Sequence, residues 1–167
     1  MDINKFYDID LERDIKVLLA HYRHHKQLGQ KTDDILNAVF VGSVIKGRLF
    51  LDMLGIKADQ KNKSIFLSQT KSGDINALTI GGRLAEPKDL IGNENLLFRF
   101  LTSANKAEAH RGGYEENNDD AFHPGTLMIL HLVNKCIYET SGRTIKFSYA
   151  QSLLRDSNYA KQALGKN

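Results

Sequence analysis

Residues 33–54 read DDILNAVFVGSVIKGRLFLDML. Ile35, Leu36, Val39, Phe40, Ile45, Leu49, Phe50, Met53 and Leu54 spread over more than half the circumference of a helix. A helix with so wide an apolar face is expected at the centre of a bundle. Thr32 suits its N-cap, because a hydroxyl there accepts a free backbone N–H. Gly55 suits its end, because glycine enters the left-handed region at little cost. Gly42 and Gly47 each weaken such a helix by roughly 1 kcal/mol relative to alanine, so a close neighbour is expected against them.

Working outward, Leu11, Ile15, Leu18, Leu19 and Tyr22 recur at helical spacing and predict a first helix from about Asp10 to Leu28, capped by Asp8 or Asp10 and ended by Gly29. After Ile56 the helical period vanishes. Residues 64–69 and 74–80 are β-prone around the turn Lys71-Ser72-Gly73-Asp74, and predict a hairpin or an irregular insertion near residues 64–82. Pro87 suits the first position of a short helical turn to Ile91. Asn93 then caps a helix to about His110, with Leu96, Leu97, Phe100, Leu101, Ala104 and Ala107 on its apolar arc. The glycine-rich, acidic segment 112–122 reads as a loop, and Pro124 is expected to open a strongly apolar helix to about Ser141. Ser148 and Gln151 have the spacing of a capping box for a last helix. The expectation is a mainly α fold: about five helices in one bundle over residues 1–167, with the small insertion after the second helix.

Composition agrees with one ordinary domain. The chain has 167 residues, 41% hydrophobic and 26% charged. Its net charge of +3 is spread along the chain, so no basic block calls for nucleic acid or an anionic membrane. No stretch reaches the roughly 18 apolar residues of a membrane span. One cysteine, Cys136, excludes an internal disulfide and a cysteine-based zinc site. The acidic Met1–Asp14 segment lacks the pattern of a signal peptide, and with the single cysteine it leads to the expectation of a cytoplasmic protein.

Two groups of residues carry chemistry. Arg99, Ser103, Lys106 and His110 fall on one stripe of the 93–110 helix, at the border of its apolar arc. A guanidinium, an ammonium, a hydroxyl and an imidazole in one row suit an anion; the same row also suits cations reaching out from the core boundary. His21 and His25 lie one turn apart, a spacing that places two imidazoles on one metal ion. That pair equally suits the basic end of a helix, opposite the negative pole of its dipole. Cys136 falls on an apolar helix face, as a structural thiol does. His131 stands one turn from Lys135, and His123 is placed to meet His110 across the acidic loop. Glu115, Glu116, Asp119 and Asp120 lack the alternating spacing of a calcium loop. No phosphate-cradling glycine loop, nucleophile elbow or dinucleotide fingerprint occurs, so no cofactor is expected.

Gly81-Gly82, a loop, and Ala104-Asn105-Lys106-Ala107-Glu108-Ala109-His110 resemble a motif of small bacterial helical proteins of no assigned activity, some of them carried on mobile elements such as integron cassettes. The resemblance spans about the middle third of the chain; Arg111-Gly112 follows the histidine where those proteins have Leu-Thr. A wider comparison is with the HEPN group of helical ribonucleases and toxin components, whose signature is an Arg followed four to six residues later by His on one helix. Arg99 precedes His110 by eleven positions, about 16 Å of helix, too far for both to hold one phosphate. The leading expectation is therefore a small helical protein that works by binding or association, with a homodimer among the expected assemblies. The alternatives are a HEPN-like RNA- or nucleotide-processing or toxin–antitoxin type protein with an anionic ligand at Arg99, Lys106 and His110, and a metal-binding bundle using His21 and His25.

Overall fold

The computed structural model describes residues 2–28, 33–68, 75–109 and 119–156. It is mainly helical, with one two-stranded antiparallel hairpin. α4 (Asp33–Met53) is the central element, as its wide apolar face requires. It packs against α2 (Glu12–Leu18), α3 (Ala20–Leu28), α6 (Glu94–Ala109) and α7 (Asp119–Val133). Val44, Phe50, Leu51 and Leu54 are buried, while Ile35 and Leu49 are exposed.

Phe100 explains how the three central helices approach. A Cβ added to Gly47 of α4 would stand 2.5 Å from Phe100 Cζ, and one added to Gly125 of α7 would stand 2.8 Å from Phe100 Cδ2. The ring of α6 thus fills the space that two missing side chains leave, and it stacks on Phe122 at 5.6 Å. Gly42 meets only an ordinary contact, at 3.5 Å from Val17.

The N-terminal helical region begins well before Asp10. Asp2 accepts from the N–H groups of Asn4 and Lys5 and caps α1 (Ile3–Lys5); a π-helical turn (Phe6–Leu11) runs on into α2. Asp8 and Asp10 are therefore not its cap. A bend at Leu19 then separates α2 from α3.

The hairpin is formed by β1 (Ile56–Asp59) and β2 (Ser64–Leu67), with Ile56 opposite Leu67 and Asp59 opposite Ser64. Residues 64–67 are thus its second strand, and the turn is 60–63. Asp59 fixes that turn by accepting from the N–H groups of Lys61 and Asn62. Leu78–Ile80 forms a single 3-10 turn instead of a strand. Asn76 and Thr79 hold it, each accepting the other's backbone N–H.

Gly81-Gly82 follows. Gly81 has φ +85°, and a Cβ on Gly82 would lie 2.7 Å from the Cys136 carbonyl oxygen. The glycine pair is there so that the chain can turn and lie against the backbone of residues 136–137.

α5 (Pro87–Leu90) starts at Pro87 as expected, capped by Glu86 and Asp89. α7 starts at Asp119, five residues before Pro124, which lies inside the helix. A π-helical turn (Asn134–Glu139) continues α7.

α8 (Ser148–Arg155) has Phe147 at its cap position and no side-chain cap, so the Ser148–Gln151 box is not formed. Its start is fixed from a distance: the buried Glu12 carboxylate accepts from the N–H groups of Lys146 (2.5 Å) and Phe147 (3.0 Å). Thr32, Gly29 and the turn at 71–74 lie outside the described residues.

Candidate functional site

The bend at Leu19 has a specific cause. In an unbroken helix the His21 N–H would bond to the Val17 carbonyl. Here the buried Ser43 hydroxyl of α4 stands between them: it accepts from His21 N–H at 3.3 Å and lies 2.9 Å from the Val17 carbonyl oxygen and 3.0 Å from that of Val39. A side chain inserted into the hydrogen-bond ladder bends a helix. This bend turns the start of α3 and sets where His21 points.

His21 points at His123. Its Nδ1 lies 3.2 Å from Nε2 of His123, a residue 102 positions away on α7. His21 is 2% exposed, and His123 is half-buried. The His21 ring packs edge-on against Phe40 of α4 (5.4 Å) and Phe122 of α7 (5.2 Å). Tyr22 packs edge-on against His123 at 5.3 Å. Helices α3, α4 and α7 therefore meet in an aromatic frame around two imidazoles. Two neutral rings at this distance share one hydrogen bond, with one nitrogen donating and the other accepting. Thr126, one turn along α7 from His123, is fully buried, and its Oγ1 makes no hydrogen bond among the described residues.

His123 thus faces His21, whereas His110 lies outside the described residues. The side chain of His25 also lies outside them, and among the described residues no group of three or more His, Cys, Asp or Glu side chains is placed to hold a metal ion. On α6, Arg99 is exposed and Ser103 half-buried. The side chain of Lys106 and all of His110 fall outside the described residues, as do Glu115 and Glu116. Neither Ser43 nor His123 stands out as a partner of His21 in the sequence: the three come together only through the crossing of α3, α4 and α7.

A second polar cluster joins α5 to the end of α7. The side chain of Asp89 is fully buried. Its carboxylate accepts from Arg83 at 2.6 and 3.0 Å, from Lys135 Nζ at 2.9 Å and from the Glu86 N–H at 2.9 Å. Burial opposes ionisation, yet these bonds outweigh it and hold the carboxyl well below the usual carboxylate range. Burial pushes the neighbouring Cys136 thiol up to about 11. Burial first, and Lys135 second, hold His131 below its ordinary value. With every Asp89 bond directed to a structural partner, this cluster is a clamp between the 83–89 segment and α7.

On the other side of α5, Ile65, Phe66, Leu67, Pro87, Leu90 and Glu94 line a groove of about 330 Å³. Phe66 and Leu67 are exposed there, and Ile91, next to Leu90 in the chain, is exposed as well. No helix among the described residues is long and apolar enough to cross a membrane. Comparison with protein-family models, curated proteins and solved structures finds no match for this chain.

Proposed function

We propose that this protein acts by binding, and that its ligand is held where His21 and His123 meet. The observation that carries the reading is the 3.2 Å approach of two imidazole nitrogens from helices far apart in the chain, one ring buried in an aromatic frame. Neutral imidazoles offer lone pairs to a ligand, and protonated ones offer positive charge. The test is thermal stabilisation of the wild type and of His123→Ala by a panel: divalent transition metals, inorganic phosphate, nucleoside monophosphates and a short RNA. One class is expected to raise the melting temperature of the wild type and not of the variant. If no member of the panel distinguishes the two proteins, the reading fails.

An anionic small molecule or RNA at Arg99, Ser103, Lys106 and His110 is the second reading. The exposed Arg99 and half-buried Ser103, one turn apart on α6, support it. Unchanged phosphate binding, nucleotide binding and ribonuclease activity in His110→Ala would end it. The reading extends to a bacterial cytoplasmic protein, supported by the buried, unpaired Cys136, with carriage on a mobile element resting on the motif resemblance. It extends also to a homodimer, supported by the exposed apolar side chains Phe66, Leu67 and Ile91, which a second copy can cover. Light scattering that gives a strict monomer at high concentration removes that part.

A further inference from the structure

Resting on the reading that a ligand is held at the histidine pair, we infer that this ligand is a divalent d-block metal ion, bound by Nδ1 of His21 and Nε2 of His123. The geometry argues for it first. Two nitrogens on one ion, each about 2.0–2.1 Å away, lie roughly 3.4 Å apart in a tetrahedral arrangement and roughly 2.9 Å apart at a right angle. The observed separation is 3.2 Å, between these two values. The ion therefore needs little movement of either helix; it replaces the shared hydrogen bond.

The donor set gives the second argument. Two imidazoles suit zinc, copper, nickel and cobalt, whereas magnesium and calcium take oxygen ligands. Binding fixes the tautomers: the proton of His21 sits on Nε2 and that of His123 on Nδ1, leaving the two facing lone pairs for the ion. Positioning is the third argument. The Ser43 hydroxyl holds the backbone of His21, and Phe40 and Phe122 hold its ring, so one ligand is preorganised before the ion arrives. His123 is the more accessible of the two and is the side from which the ion enters. Water or a further side chain completes the coordination of the ion.

The experiment is titration of the untagged, full-length protein with Co²⁺, read by its visible absorption, followed by displacement with Zn²⁺ measured calorimetrically. The expected result is one bound ion with a nitrogen-ligand spectrum. His123→Ala and His21→Phe are each expected to weaken binding by about tenfold or more, the least that loss of a ligand should cost where loss of a supporting contact already costs about that much. His24→Ala and His25→Ala are expected to bind as the wild type does. His123→Gln serves if either ligand variant loses its helical circular dichroism. The inference is overturned if the wild type binds neither ion, or if binding survives in His123→Ala and His123→Gln; survival there with loss in His25→Ala would place the ion on α3 alone. If phosphate or nucleotide stabilises the protein in a His123-dependent way while Co²⁺ and Zn²⁺ do not bind, the metal is excluded and the binding site stands. If none of them acts through His123, both fall.

Discussion

Replacing Asp89 with Asn should destabilise the protein by about 3 kcal/mol. The carboxylate is fully buried and accepts two bonds from Arg83, one from Lys135 and one from the Glu86 N–H. Summing these as charge-assisted bonds would overshoot, because burying the three charges already costs much of what their attraction returns. The better guide is the roughly 3–5 kcal/mol lost when one partner is removed from a buried ion pair. The side chains of Arg83 and Lys135 are 24% and 38% exposed, so both cations recover some hydration by turning outward. That places the expected loss toward the lower end of the range, and the fall in melting temperature at about 6–12 °C for a chain of this size.

The pH dependence has a definite sign. The folded-state pKa of Asp89 lies below its unfolded value of about 3.9. Its contribution is therefore present in full above that value and is lost as the pH falls through the folded-state pKa. Urea unfolding followed by circular dichroism at pH 7 and at steps below pH 4 should show wild-type stability converging on that of Asp89→Asn. A double-mutant cycle with Arg83→Met should give a coupling of about 1 kcal/mol or more. Additivity of the two substitutions, or an Asn variant within about 0.5 kcal/mol of the wild type, would refute the clamp.

Three further expectations follow from single contacts. Ser43→Ala removes the hydroxyl that bridges the Val17 carbonyl and the His21 N–H; denaturant unfolding should show a loss of about 1–3 kcal/mol, and the imidazole NMR signals of His21 and His123 should shift. Gly47→Ala places a Cβ 2.5 Å from Phe100 Cζ; the cost of overpacking, about 1–3 kcal/mol, should exceed or cancel the helix-propensity gain of about 1 kcal/mol, so its melting temperature should not rise above the wild type's. Cys136 is fully buried with its thiol pushed up to about 11, so iodoacetamide at pH 8, followed by mass spectrometry, should leave it unmodified until the protein unfolds.

Most of the helical architecture was legible in the sequence because helices carry their own period. α4 ends where Gly55 leaves the helical region, and α5 begins at Pro87, since both signals are local. The differences between sequence and structure have three separate causes. The turn residues that follow 64–67 suggest a first strand there; Asp59, holding the 60–63 turn by its side chain, makes the earlier pairing instead. The start of α8 was read as a local capping box, but a carboxylate from α2 supplies the fixing contact. The N-terminal helical region begins earlier than Asp8 and Asp10, as caps, would suggest, because the π-helical turn through them has no separate sequence signal.

The same distinction between local and long-range causes sorts the motif Gly81-Gly82 … Asn105–His110. Its glycines have a complete structural explanation: a left-handed turn and a backbone approach to residues 136–137 that no side chain would allow. They therefore say nothing about a ligand. The second half of the motif ends α6, and α6 runs nine residues beyond Phe100, about 13 Å, after that ring has met Phe122 and Gly125 near the start of α7. His21 reaches the same start of α7 because Ser43 bends α3. A ligand-binding reading of this chain thus depends on that end of the bundle. His123, which no motif marks, is the residue whose substitution distinguishes a ligand site there from a pair of rings that merely pack.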